Sequence, residues 1–217
     1  MKYLFPLLAL GLTAAPAHAA SVSTTDIIAT PDFSYGFEDL PQSSAFGSVV
    51  ISGNITVMQV LGDPNGIWTS FPFPGQEGSR SWYPIGGDLG YTVIKTTDGA
   101  DLSAFGFLSG NGEALGTVRT AHYSLRRDGV EVASGSYANS AEMSYIGFSD
   151  AIFDEIYLMS TSGPTDSFSF FGDRTRNTLA IDAIEMKLAD APAVPLPAGG
   201  LLLLSGLAAA GLLRRRG

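Results

Sequence analysis

The chain has no cysteine and only two histidines among its 217 residues. Without cysteine there can be no disulfide, no thiol nucleophile and no thiolate metal ligand. His18 lies in an N-terminal segment that we expect to be removed, which leaves His122. One histidine without cysteine does not suit a zinc centre. An ordinary apolar core must therefore hold the folded part of the chain together.

Basic residues are also scarce, with 12 lysines and arginines against 21 acidic residues. Lys2, Arg214, Arg215 and Arg216 lie at the chain ends, whereas no acidic residue does. The body between the ends has 8 basic and 21 acidic residues, a net charge of −13. Such a body repels nucleic acid and anionic lipid surfaces. Cations and neutral or cation-bridged polysaccharides are better candidate partners.

Helical periodicity is almost absent from the body, which instead carries many of the 26 glycines between short β-branched and aromatic runs. Roughly nine or ten runs alternate with period two, which is typical of an all-β protein. The clearest hairpin signal is Asp128-Gly129, between runs at residues 117–127 and 130–134. The pattern predicts one antiparallel β-sandwich, jelly-roll-like, over residues 20–188.

Two parts of this pattern need separate mention. Residues 62–90 contain so many prolines and glycines that we expect a long loop or short irregular strands there. Residues 178–187 predict the last strand. Strict alternation would place Leu179, Ile181 and Ala183 on one face, and Asp182 and Ile184 on the other.

The N-terminus predicts a signal peptide over residues 1–19. Lys2 precedes an apolar run at residues 3–15, and Pro16 ends that run. Ala17 and Ala19 then form the small-residue pattern of a cleavage site. We therefore expect an apolar signal helix, export through the Sec machinery and a mature chain that begins at residue 20.

The C-terminus predicts a membrane anchor. A Pro/Ala stalk and a proline motif at residues 189–198 precede an uncharged apolar run at residues 199–213. As a helix this run would span about 22–24 Å, short of the roughly 30 Å hydrocarbon core. Snorkelling arginines and local thinning of the bilayer could cover the difference. Residues 214–217, with three arginines, would form a basic cytoplasmic end.

The tail resembles the VPLPA-CTERM sorting domain, a relative of the PEP-CTERM signals of Gram-negative bacteria. The resemblance rests on the motif, the apolar helix and the arginine cluster in that order; the motif residues are Val194, Pro195, Leu196, Pro197 and Ala198. It implies recognition by an exosortase, a membrane transpeptidase, and processing near the motif. It also implies a precursor in the inner membrane, then a place at the cell surface or outside the cell.

A looser resemblance concerns the body. Residues 147–148, 153–158 and 179–184 are similar to the last strands of galactose-binding-like jelly rolls. Many such modules bind carbohydrate, and many carry a structural calcium ion where the first and last strands meet. The resemblance implies a calcium site formed by Glu38, Asp39 and Asp182. The alternative is that Asp182 lies on a solvated strand face or caps a turn.

The loop at residues 62–90 contains the best candidates for sugar binding. Trp68, Trp82 and Tyr83 are flat rings on a Pro-rich segment, and aromatic faces stack on sugar C–H groups. The alternative is that these rings form a small core that holds the loop in place.

Support for catalysis is thin, and we predict no catalytic residue. His122 is not accompanied by the Gly-x-Ser-x-Gly element that would favour a serine hydrolase. Asp150, Asp154 and Glu155 could pair as in a glycosidase, but Asp154 and Glu155 are adjacent and would point to opposite faces of a strand. The sequence thus predicts an exported, non-enzymatic surface or matrix protein that binds exopolysaccharide. A purely structural adhesin or matrix component and a secreted hydrolase are the alternatives.

Overall fold

The computed structural model describes residues 20–39, 48–51, 54–60, 73–83, 90–161 and 177–190. Within these ranges the regular structure is strand, apart from one 3-10 turn at Phe37–Asp39. The strands in chain order are β1 (Ser21–Ser23), β2 (Phe33–Tyr35), β3 (Ser48–Ile51), β4 (Ile55–Val60), β5 (Tyr91–Thr96), β6 (Leu102–Gly110), β7 (Val118–Arg127), β8 (Val130–Ser140), β9 (Ser144–Ser149), β10 (Glu155–Ser160) and β11 (Ala180–Leu188).

These strands form two sheets, and every pairing between them is antiparallel. The five-stranded sheet has the order β1-β9-β6-β11-β2, and the six-stranded sheet has the order β3-β4-β5-β10-β7-β8. Chain neighbours such as β5 and β6 lie in different sheets, so the chain crosses repeatedly between the two layers. The predicted antiparallel β-sandwich is confirmed.

The core lies between the sheets and is rich in phenylalanine. Both sheets contribute side chains with no solvent exposure, and the largest of them include Phe105, Phe107, Phe148, Ile94 and Leu125. Phe105 and Phe148 are stacked with their ring centroids 6.4 Å apart. Each such side chain contributes about 1.5–3 kcal/mol on burial.

The hairpin between β7 and β8 turns at the predicted Asp-Gly pair. Asp128 has φ of 51° and Gly129 has φ of 74°, the left-handed values that a two-residue hairpin turn needs. The predicted end of β8 at residue 134 was wrong, because the strand runs on to Ser140. Serine, glycine and asparagine are poor strand formers, but pairing with β7 as far as Val118 keeps them extended.

The last strand departs from simple alternation. Its pairing with β6 shifts between Asp182 and Glu185, and Ala183 has φ of 45°. This β-bulge adds one residue to β11 relative to β6, so the side chains after it point to the face opposite to the one that strict alternation predicts. Ile184 and Met186 therefore join Leu179 and Ile181 in the core. The predicted faces were wrong beyond the bulge.

Several predictions fall outside the described residues. They include the signal helix with Ala17 and Ala19, the stalk and sorting motif, the apolar run at 199–213 and the basic end with Arg214, Arg215 and Arg216. In the described ranges, none of the helical structure has the length and hydropathy needed to cross a membrane.

Candidate ligand-binding cleft

The bulge in β11 places two acidic residues on the outer face of the five-stranded sheet. Asp182 is opposite Leu108 of β6, and Leu108 is opposite Tyr145 of β9. Glu185 is opposite Gly106. Because paired residues share a face, these side chains form one outer surface. Strict alternation would have sent Asp182 and Glu185 to opposite faces.

This surface forms the floor of a cleft of about 390 Å³. Its wall comes from the segment at residues 73–83 and from the region after β1. Ligand pockets in proteins commonly measure about 300–1,000 Å³, so the cleft is large enough for a small ligand. Its lining has no basic residue and consists of Asp26, Gly75, Gln76, Glu77, Leu108, Tyr145, Ala183 and Glu185.

Tyr145 forms one side of the cleft and depends on two glycines. Its ring lies so close to Gly106 that a Cβ there would collide with the Tyr145 hydroxyl. A Cβ at Gly147 would come within 2.9 Å of the same ring. The backbone N–H of Ile27 donates to the Tyr145 hydroxyl at 3.4 Å. Burial raises the pKa of Tyr145, and the charge of Asp26 and a hydrogen bond to it raise the pKa further, so the phenol is neutral.

Glu185 supplies the least satisfied acceptor of the cleft. Its Oε2 atom is buried and has no hydrogen-bond partner among the described residues. Burial raises the pKa of Glu185, and the charges of Asp26 and Glu77 raise it further. A buried carboxylate oxygen without a donor carries a desolvation cost of about 1–3 kcal/mol or more. A ligand hydroxyl or ammonium group could offset that cost.

Asp182 is fully buried beside the cleft and has a different role. Its Oδ2 accepts the Glu77 backbone N–H at 2.9 Å, and its Oδ1 accepts the Ala183 N–H at 2.8 Å. Burial raises the pKa of Asp182 to about 6, with smaller contributions from the charges of Glu77 and Glu38. Asp182 therefore ties the wall segment to the sheet and fixes the bulge.

Glu38 holds the same wall segment two and three residues beyond Glu77. Its Oε1 accepts the backbone N–H groups of Ser79 at 2.6 Å and Arg80 at 2.7 Å, and its Oε2 accepts the Ser79 hydroxyl at 2.9 Å. The pKa of Glu38 is lowered, mainly by the hydrogen bond from the Ser79 backbone N–H. Two carboxylates thus anchor a segment that has no strand partner along most of its length.

The raised pKa of Asp182 predicts a pH dependence of stability. The folded state binds this proton at about pH 6, whereas the ordinary pKa is 3.8. Between these values the folded state binds more protons than the unfolded state, so stability falls as pH rises. We expect the free energy of unfolding of wild type, relative to Asp182→Asn, to rise on acidification from pH 7 to pH 4. Over this range the rise should be about 2–2.5 kcal/mol, because pH 4 still lies above the ordinary pKa.

Chemical denaturation of both proteins at half-unit pH steps measures this difference. Glu185 titrates in both proteins, so subtracting the two profiles isolates Asp182. If the difference in free energy of unfolding between wild type and Asp182→Asn stayed constant from pH 4 to pH 7.5, it would contradict the burial of an ionised Asp182.

The three carboxylates predicted to bind calcium are not gathered into one site. Asp182 and Glu38 bind backbone N–H groups, and Asp39 accepts the Tyr35 hydroxyl. In the described ranges no three Asp, Glu or His side chains lie close enough to hold a metal ion. The pairing of β2 with β11 does bring the first and last predicted strands together. Calcium binding by the chain stays a prediction.

Of the three rings predicted to bind sugar, Trp82 lies in the core instead. Trp82 pairs with Ile181 at the sheet edge and is fully buried, with its ring 6.3 Å from that of Phe37. A sugar cannot reach either indole face, because this ring belongs to the core. Tyr83 is half-buried and packs edge-on against Phe73 at 5.1 Å. Trp68 lies outside the described residues.

Three of the residues weighed for catalysis, Asp154, Glu155 and His122, have structural contacts. Asp154 accepts the Asp128 N–H at 3.0 Å, at the β7–β8 turn. Glu155 bonds Lys95 at 3.4 Å and accepts the Tyr157 hydroxyl at 3.2 Å. His122 is paired with Met159 in the six-stranded sheet, and burial lowers its pKa.

Three acidic residues of the cleft were not predicted from the sequence: Asp26, Glu77 and Glu185. Asp26 and Glu77 come from segments without periodicity, so nothing in the sequence placed them beside a strand. Glu185 carried a usable signal, since it follows Asp182 by three positions within residues 179–186, which are otherwise apolar. Two acids that alternation would place on opposite faces could have pointed to a bulge.

Comparison of the chain with protein-family models, with curated proteins and with solved structures gave no match in any of the three.

Proposed function

We propose that this chain is an exported cell-surface or extracellular-matrix protein whose body binds exopolysaccharide in the cleft on the five-stranded sheet. The observation that carries the binding proposal is the buried, unpartnered Glu185 oxygen at the side of an open 390 Å³ cleft. The fold belongs with jelly-roll-like sandwiches, and the pairing of β2 with β11 supports that assignment.

The cleft suits a polyol better than an anion. Glu185, Glu77 and Asp26 offer acceptors to sugar hydroxyls, while Tyr145 offers a neutral phenol. Leu108 adds an apolar surface for a sugar C–H face. Because no basic residue lines the cleft, a uronic acid would need a bridging cation to approach. Neutral or amine-bearing sugar units are therefore the proposed ligand class.

Export and sorting are part of the same proposal. The signal peptide supports delivery by Sec, and the VPLPA-type tail supports processing by an exosortase-type enzyme. The protein would begin as an inner-membrane precursor and end in the envelope or outside the cell. The intact mass of the protein from its native host tests this: a chain from residue 20 to about residue 197 is expected, and one that still ends at Gly217 would contradict it.

Glu185→Gln is expected to weaken sugar binding by about tenfold or more. Loss of one charge-assisted hydrogen bond is worth about 1.5–3 kcal/mol, and 1.4 kcal/mol is a factor of ten. The measurement uses the full chain in detergent with immobilised neutral, amino and uronic-acid oligosaccharides. Asp190→Asn is the matched control, because Asp190 is an exposed acid outside the cleft.

Equal binding by wild type, Glu185→Gln and Asp190→Asn would exclude the cleft as the binding site. Absence of binding to every oligosaccharide class, with and without added calcium, would exclude the binding function itself.

A further inference from the structure

The sheet edges of the sandwich differ in length. Three edge strands are short, with three residues in β1, three in β2 and four in β3. The fourth edge strand, β8, has 11 residues. Short edges are one of the means by which sheets avoid pairing with other chains. β8 lacks this protection.

The open part of β8 has clear limits. Its pairing with β7 shifts near Val132, between the pairs Arg126–Glu131 and Leu125–Ala133. At the other end Asn111 donates to the carbonyls of Asn139 at 3.0 Å and Ser140 at 2.9 Å. Between these limits, residues 133–138 pair with β7 on one side and with no described strand on the other. We call residues 133–138 the open edge.

Nothing in the chemistry of the open edge repels another strand. It has no charge and no proline, and four of its six residues are exposed: Ser134, Gly135, Ser136 and Ala138. The nearest acid on β8, Glu131, is turned back onto its own sheet, where it accepts the hydroxyls of Ser124 at 2.8 Å and Ser134 at 2.7 Å. It therefore does not act as the charged gatekeeper that edge strands often carry.

We propose that the open edge pairs antiparallel with the open edge of a second copy of this chain, about a two-fold axis at Ser136. This pairing would join two six-stranded sheets into one continuous sheet, with an isologous interface. It places uncharged residues opposite uncharged residues, and it keeps the two Glu131 side chains about 30 Å apart. A parallel pairing in register would instead place Glu131 beside Glu131.

A second copy of the open edge is the occupant that the absence of charge in residues 133–138 favours. An unrelated cationic strand would find no carboxylate there to bind, since Glu131 is already engaged. The body carries a net charge of −13, so two copies repel each other at long range. Salt screens that repulsion, and association should therefore strengthen as salt is added. The proposal does not depend on sugar binding in the cleft.

The absence of cysteine allows a direct test by disulfide trapping. Directly opposed residues of an antiparallel pair have Cα atoms about 4.5–5.5 Å apart, within the range that a disulfide bridges. Full-length Ser136→Cys in detergent is expected to form a reducible dimer under mild oxidation. Ser144→Cys, at an exposed position of an interior strand, is the control and should stay monomeric. Equal cross-linking of the two variants, or none, would overturn the proposal.

Sedimentation of the cysteine-free chain gives an independent test. Ser136→Lys sets two like charges opposite each other at the axis and should lower the association constant at least about tenfold. Circular dichroism should be unchanged, because Ser136 is exposed. Wild type that remains monomeric at every concentration and salt level, or a lysine variant that associates as well as wild type, would refute the pairing.

Discussion

Replacement of Trp82 by alanine is expected to lower the free energy of unfolding by about 3–5 kcal/mol. Trp82 is fully buried and is the largest of the fully buried side chains in the described residues. It packs against Phe37 and pairs with Ile181, so its removal leaves a large cavity where the wall segment meets the core. Denaturant titration of the full chain in detergent measures the change.

Trp82→Phe separates the core role from a binding role. Phenylalanine keeps much of the buried volume, so this variant should lose less stability than Trp82→Ala and still bind sugar with wild-type affinity. A Trp82→Ala protein that was as stable as wild type but no longer bound sugar would show that the indole is a ligand platform.

Replacement of Asp182 by alanine is expected to cost about 2–4 kcal/mol of stability. The substitution leaves the N–H groups of Glu77 and Ala183 without their acceptor in a buried place. It also removes a carboxylate that is itself costly to bury, which partly offsets the loss. Because Glu77 belongs to the wall segment, sugar affinity should fall together with stability.

Asp190→Ala is the control for Asp182→Ala, since it removes an exposed carboxylate near the end of the same strand. Its stability should stay within about 0.5 kcal/mol of wild type. If the two alanine variants unfolded at the same denaturant concentration, Asp182 would not be the anchor of the wall segment.

The layered fold followed from the sequence because alternation, turn residues and the lack of helical periodicity all agree. Asp128-Gly129 specified its hairpin locally, through backbone conformations that glycine and aspartate tolerate. The extent of β8 did not follow, because residues 135–140 are poor strand formers that β7 holds extended. Pairing in three dimensions outweighed local preference there.

The cleft could be predicted only in part. Asp182 was predicted as a calcium ligand, and its oxygens accept two backbone N–H groups. One belongs to the next residue, Ala183, and the other to Glu77 in a distant segment, a contact that no sequence pattern reports. Strict alternation would place Glu185 on the core face, and the bulge at Ala183, which breaks the period of two, places it on the outer face instead. Trp82 was predicted to bind sugar, with a small core as the alternative; its full burial and its bridge to Ile181 agree with the alternative.

Hydrogen exchange of the full chain, followed by mass spectrometry with and without the oligosaccharide that binds best, tests the cleft most directly. We expect sugar to slow exchange in residues 73–83 and 180–188, which form the wall and floor of the cleft. Exchange in the β7–β8 hairpin should not respond to sugar. Protection confined to the six-stranded sheet, with none at residues 73–83 and 180–188, would contradict the assignment of the binding site.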